Sequence, residues 1–199
     1  MTVHTSRVQD PAHQTVAAST AAGGGNWFLI GAGTVGAAVA LSLGAYGRFH
    51  TPTGAAVAPF QLDQLLLVKS VLATAGAGLA LFQLASALWM YGRLRFLPAS
   101  PSWLGPTHRW SGTATFLVTL PVAYHCLWGL GFQTTTTRVM IHSLLGCAFY
   151  GAFTTKLLAL RSSRLPSWAL PVIGGSLVTL LVGLWFSSAA WYFSLTSTP

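Results

Sequence analysis

The sequence predicts an all-α integral membrane protein, a polytopic bundle of five transmembrane helices. Three observations predict it. The 199 residues are 53% hydrophobic and only 6% charged, with a mean hydropathy of +0.61, whereas a soluble domain carries about 25% charged residues. The apolar residues gather into five stretches of about 20 residues or more, the length that crosses a bilayer as a helix. Trp27, Trp89, Trp103, Trp110, Trp168 and Trp191 fall near the ends of these stretches, where an interfacial aromatic belt belongs.

Residues 1–26 are polar and Ala/Gly-rich and end in Gly23-Gly24-Gly25. They lack the basic run and apolar core of a secretory signal and read as a disordered N-terminal tail. The transmembrane domain then covers 27–193. Its first span runs from about Trp27 to Tyr46 and contains Gly31-Ala32-Gly33-Thr34-Val35-Gly36. This run matches the GxGxxG dinucleotide fingerprint, which also needs an acidic residue about 20 positions on. Gly54 and Ala55 stand there instead, with Asp63 well beyond. The glycines therefore read as a small-residue face that lets membrane helices approach closely, and Gly76 and Gly78 read the same way in the second span.

That second span runs from about Leu62 to Trp89, with Asp63 placed to cap its start. The third runs from about Trp110 to Gly131 and should kink at Pro121. The fourth runs from about Val139 to Leu160 and the fifth from about Trp168 to Phe193, leaving 194–199 as a short C-terminal tail. Thr51-Pro52-Thr53-Gly54, Pro98-Ala99-Ser100-Pro101 and Ser162-Ser163-Arg164-Leu165-Pro166 break the spans apart. No long internal repeat relates them.

Lys and Arg outnumber Asp and Glu ten to two. In a soluble fold such an excess would suggest nucleic acid; here the bases sit mostly in loops, where they set topology and meet anionic lipid. Arg7, Arg93, Arg95, Arg109, Lys156, Arg161 and Arg164 fall on one side, and Arg48, Lys69 and Arg138 on the other. The positive-inside rule then predicts a multi-pass protein of the plasma membrane with its N-terminus in the cytoplasm and its C-terminus outside. Cys126 and Cys147 both lie in apolar segments and read as buried small hydrophobes rather than a disulfide framework.

His125 and His142 are the residues most suggestive of chemistry. They flank the polar turn Gln133-Thr134-Thr135-Thr136-Thr137, each eight or nine residues from its centre, so the two imidazoles are expected at matching depth on antiparallel helices. Ionisable groups in lipid are costly and mark functional positions. Two neutral imidazoles at one level suit the axial positions of a haem iron. Arg138 shares a helix face with His142, and Lys69 reaches a similar depth, so both could meet haem propionates. Two alternatives stay open: His50 supplies a ligand instead, or the two histidines serve different centres. At the opposite end His108 lies 17 residues before His125, about 25 Å along a helix, too far to share an iron. Met90 stands at a comparable level, and His/Met ligation occurs in cytochromes. His108 could equally meet a propionate or a quinone, with Arg109 anchoring lipid.

His108-Arg109-Trp110-Ser111-Gly112 resembles the His-Arg-x-x-Gly run that opens a helix in ferric-reductase-like transmembrane domains and ascorbate-reducible b-type cytochromes. His142-Ser143-Leu144-Leu145-Gly146 resembles the His-Ser-x-x-Gly run of those cytochromes. The resemblance covers the third and fourth spans and implies haem b held between helices, with electrons passing through the membrane. Those families carry two His pairs on four helices, whereas the first, second and fifth spans here contain no His, so one haem is expected. No flavin or nicotinamide domain accompanies the helices, so the donor would be a quinol or a redox partner protein. The overall pattern also resembles a small family of uncharacterised bacterial membrane proteins.

The sequence thus points to a membrane electron-transfer protein, with a non-enzymatic accessory subunit of a larger homo- or hetero-oligomeric complex as the alternative. A proton-coupled carrier would want a membrane carboxylate, and a hydrolytic triad would need an acid in the membrane; the spans offer neither.

Overall fold

The computed structural model describes residues 11–54, 62–163 and 165–196, with side chains for 26–54, 64–163 and 165–196. The described chain forms five long helices. α1 is Pro11–Phe49, α2 is Leu62–Met90 and α4 is Thr137–Ala159. α3 is Leu104–Tyr124 and continues without a break into a π-helical turn, His125–Leu130. α5 is Ala169–Trp185 and continues through a second π turn, Phe186–Ala190, into a last turn and a half, Trp191–Thr196.

Four of these helices are long and apolar enough to cross a membrane: Asn26–Phe49, Gln64–Met90, Leu104–Leu130 and Ala169–Thr196. The expected fourth span, α4, has the length but not the composition. Arg138, His142, Lys156 and its threonines lower its apolarity, and it lies between α1 and α5 rather than at the edge of the bundle. α1 starts at Pro11, inside the segment expected as tail, and the alanines at 12, 17, 18, 21 and 22 favour a helix there. Residues 1–10, and the side chain of Asp63 with its expected capping role, lie outside the described residues. α3 begins at Leu104, several residues before Trp110.

Packing follows the order α1–α4–α5–α2–α3. Helices consecutive in sequence are therefore not all neighbours in space. α1 lies on α4 where Gly36 meets Gly151: a Cβ on Gly151 would stand 2.5 Å from the Gly36 carbonyl oxygen. Only glycine permits that approach, the close contact through which membrane helices gain packing energy. The GxGxxG run lies wholly inside α1, so it forms no phosphate loop. α4 and α5 enclose the apolar centre, Phe149, Leu177 and Leu181, with Ala80 of α2 completing it. Trp185 of α5 donates its indole N–H to Thr74 of α2 at 2.9 Å.

α3 meets α4 through long side chains. The Phe116 and Phe153 rings stack at 4.3 Å, and Tyr150 donates to Thr119 Oγ1 at 3.0 Å. This aromatic layer holds the two backbones apart. Closer to the connecting turn, α3 tilts into its π turn four residues after Pro121, a residue whose missing N–H removes one helical hydrogen bond. The π turn ends at Gly131, with φ +71°. A Cβ at Gly131 would stand 2.9 Å from the Gly47 carbonyl oxygen, and Phe132 N–H donates to that same oxygen at 2.6 Å. The end of α1 is thereby pinned to the end of α3. Backbone N–H groups of Thr53 and Gly54 cap the free carbonyls of Trp128 and Gly129.

Candidate functional site

The two π turns lie at the same end of the bundle, one on α3 and one on α5, and α4 enters between them. A π turn carries one extra residue per turn and often marks a functional position in a helix. Here the turns present His125 and Ser187. His125 is buried, 6% exposed, and its Nδ1 stands 3.2 Å from Lys69 Nζ of α2. An ammonium can only donate, so Nδ1 accepts and the ring proton resides on Nε2.

His142, on α4, has the opposite tautomer. Its Nδ1 is 2.9 Å from Ser187 Oγ, and that hydroxyl donates its own proton to the Gly183 carbonyl at 2.8 Å. Ser187 Oγ therefore accepts from Nδ1–H, and His142 Nε2 keeps a bare lone pair. This is the arrangement that prepares an imidazole for a metal: the distal ring N–H is fixed by an oxygen, and the other nitrogen is left to ligate. Arg138, one turn before His142, donates to the Ser187 carbonyl at 2.5 Å and lies over the Trp191 ring, 3.8 Å from its centre. Arg138 and His142 thus both bind Ser187, one through its backbone and one through its side chain.

Three cavities of about 120, 90 and 250 Å³ meet here, and His142 and Cys126 line all three. The 250 Å³ cavity is also lined by Lys69, Arg138 and Ser187. His125 lines none of these three. Lys69, Arg138 and His142 are therefore brought to one space, while His125 lies behind Lys69. Cys126, set aside in the sequence reading, belongs to the cavity wall. His50 is elsewhere: its Nε2 donates to the Trp128 carbonyl at 3.3 Å, and its ring stacks between Tyr46 and Trp128, 4.9 Å from each.

The opposite end holds a second cavity, about 360 Å³, between α2, α4 and α5. His108 and Met90 both line it, as does Lys156. Ser86 Oγ, which donates to the Gln83 carbonyl at 3.1 Å, is 2.7 Å from His108 Nδ1. When the hydroxyl keeps the Gln83 carbonyl, His108 Nδ1 is the donor and its Nε2 carries a lone pair. Gln83 donates to the His108 carbonyl and to Ser111 Oγ, tying α2 to the first turns of α3. Arg109 is exposed and lines none of these cavities. Three members of this second site, Gln83, Ser86 and Lys156, did not emerge from the sequence. A signal existed for Gln83 and Ser86, polar side chains three residues apart in an apolar helix.

Among the described residues no cluster of three or more His, Cys, Asp or Glu could hold a metal ion by itself. The molecule is thus a multi-helix membrane protein with a histidine-bearing cavity at each end of its bundle. It belongs to the family of unknown function DUF6529, whose pattern matches residues 29–199. No curated protein matches the chain, and no solved structure does. The two runs that resemble ferric-reductase-like domains and b-type cytochromes are not accompanied by a match to either family.

Proposed function

We propose that this chain is a membrane electron-transfer protein that binds one haem b at the end of the bundle where the π turns lie. One observation carries the reading: the bare Nε2 lone pair of His142, fixed by Ser187, lines the same cavity as Lys69 and Arg138. The donor set suits haem b, which needs a nitrogen ligand for its iron and cations for two propionates. His142 would hold the iron, and His125, which lies behind Lys69 and lines none of the three cavities, would become the second ligand only once Lys69 moves aside. Lys69 and Arg138 would pair with the propionates. Lys69 then has two roles, blocking His125 Nδ1 in the absence of an anion and releasing it when a propionate takes the ammonium. The bound haem would supply one-electron redox chemistry. Arg138 and Ser187 orient the His142 ring, and the apolar walls exclude water.

In this reading all five helices cross the plasma membrane. α4, about 34 Å long at 1.5 Å per residue, is shielded from lipid by α1 and α5. The N-terminus is cytoplasmic and the cavity with His142 opens on the outer side. A quinol or a redox partner protein would be the donor.

The test is a visible spectrum of detergent-purified protein after haem-supplemented expression, oxidised and dithionite-reduced. A Soret band with sharp reduced α and β bands is expected, lost in His142→Ala and altered in His125→Ala. Colourless wild-type protein would overturn the reading.

A second reading is a non-enzymatic accessory subunit. It is favoured by the half of the α1 small-residue run that faces nothing: a Cβ on Gly31 or Gly33 would meet no atom within 4 Å, a surface on which a partner helix can pack. A stoichiometric partner retained by His142→Ala, together with absent haem, would favour it.

A further inference from the structure

Among the described residues, the cation in the cavity at the His108 end has no counter-charge. Lys156 has no hydrogen-bond or ion-pair partner among the described residues, and its neighbours in the wall are largely apolar, among them Leu84, Leu88, Leu160 and Val178. A charge in such surroundings is costly unless it is paired. The whole chain contains two acids. Asp10 lies outside the described residues, and Asp63 starts α2, 20 residues from Gln83, about 30 Å along the helix. The wall also carries Tyr91, Gln83 (its amide nitrogen held by the His108 carbonyl and Ser111) and His108, whose Nε2 is an acceptor when Nδ1–H donates to Ser86. The Lys156 ammonium and the His108 imidazole therefore face a single space of about 360 Å³.

Their complement is an oxyacid that keeps one O–H: the anionic oxygen meets Lys156, and the O–H donates to His108 Nε2. The remaining wall suits hydrocarbon. Gly174 and Gly175 line the cavity with nothing within 4 Å of an added Cβ, and exposed Leu84, Tyr91 and Leu160 carry the wall out to the surface of the bundle.

We propose that this cavity binds the oxyacid head of a membrane amphiphile, with Lys156 as counter-ion and His108 as hydrogen-bond acceptor. A phosphate monoester lipid has that chemistry as its monoanion; a fatty acid does not, because its carboxylate keeps no O–H. A phosphodiester lipid has the charge but no O–H on phosphorus. The site is independent of haem and lies at the other end of the bundle.

The test uses the full chain in detergent at a pH of about 6, near the second ionisation of a phosphate monoester. Dioleoyl phosphatidate, palmitate and dioleoyl phosphatidylmethanol are titrated separately, with the unfolding midpoint and native mass spectrometry as readouts. Phosphatidate is expected to raise the midpoint and remain bound at one copy per chain, and palmitate, charged but without an O–H, to bind as weakly as the diester. Phosphatidylmethanol is expected to bind about tenfold more weakly, the cost of an unmet hydrogen bond. Lys156→Met abolishes binding, and His108→Phe removes the preference over the diester. Leu88→Trp, which fills the cavity and keeps Lys156 and His108, also abolishes it, so the proposal stays testable if Lys156→Met does not fold. Arg161→Gln, an exposed cation at the same end, binds as wild type. Equal binding of all three lipids, binding of none, or wild-type binding by Leu88→Trp would overturn the proposal and leave Lys156 as a side chain that reaches for the membrane surface.

Discussion

Lys69 Nζ of α2 lies 3.2 Å from His125 Nδ1 of α3, so a cation inside an apolar bundle is met by a neutral imidazole instead of an acid. Each group answers the other's hydrogen-bonding need. Removing either alone leaves a polar group stranded. Lys69→Met and His125→Phe are each expected to destabilise the protein by about 1–3 kcal/mol, and the double variant by less than the sum, with a coupling of about 0.5–3 kcal/mol. Reversible unfolding in detergent measures all three. Strictly additive effects would show that the two groups do not interact.

Ser187 fixes the His142 tautomer through one oxygen. Imidazole ¹⁵N spectra of the haem-free protein should place the proton of His142 on Nδ1. Ser187→Ala should yield a mixture of tautomers, while Ser188→Ala leaves the ring unchanged. If haem binds, Ser187→Ala lowers its affinity about 10–100-fold, the usual effect of removing a partner that orients a ligand.

The α1–α4 contact has a sharp steric signature. Gly151→Ala drives a methyl group towards the Gly36 carbonyl oxygen, at 2.5 Å, and is expected to cost about 1–3 kcal/mol, as overpacking generally does. Gly31→Ala, with open space around it, should be neutral or slightly stabilising because alanine favours helix. Thermal unfolding of the pair decides it: equal midpoints would mean the helices do not approach at Gly36.

Five crossings and four give opposite answers to a labelling experiment. In a Cys126→Ala/Cys147→Ala background, Thr135→Cys should react with an impermeant maleimide from outside the cell, and Ser163→Cys only after the membrane is opened. Labelling of both from one side would mean that α4 does not cross.

Hydropathy alone made five helices legible, because lipid demands long apolar runs whatever the tertiary structure, but it missed the starts of α1 at Pro11 and α3 at Leu104, which lie in less apolar sequence. It also brought out Lys69, Arg138 and His142, since polar groups in such runs are few. Their partners were harder to see. His125 and His142 were expected to face one centre, but depth along a helix says nothing about rotation around it, and the π turns change that rotation at the residues concerned. The extra residue in Phe186–Ala190 is what brings Ser187 to His142, and no local composition announces it. Lys156 looked like a topology signal because its place near the end of α4 suits one; only the fold shows that it lines a cavity with His108.

Gly36 and Gly151 are 115 positions apart in the chain, and their contact has a consequence for synthesis. At about 5–20 residues per second, α1 spends roughly 6–23 seconds in the bilayer before its partner helix exists. During that interval its glycine groove faces lipid or whatever insertion factor attends it. α4, the helix least suited to lipid, emerges only when α1 is already waiting, and it finds a prepared groove on one side before α5 arrives to cover the other. The order of the genetic message thus works as an assembly schedule, in which the least apolar helix never has to wait alone.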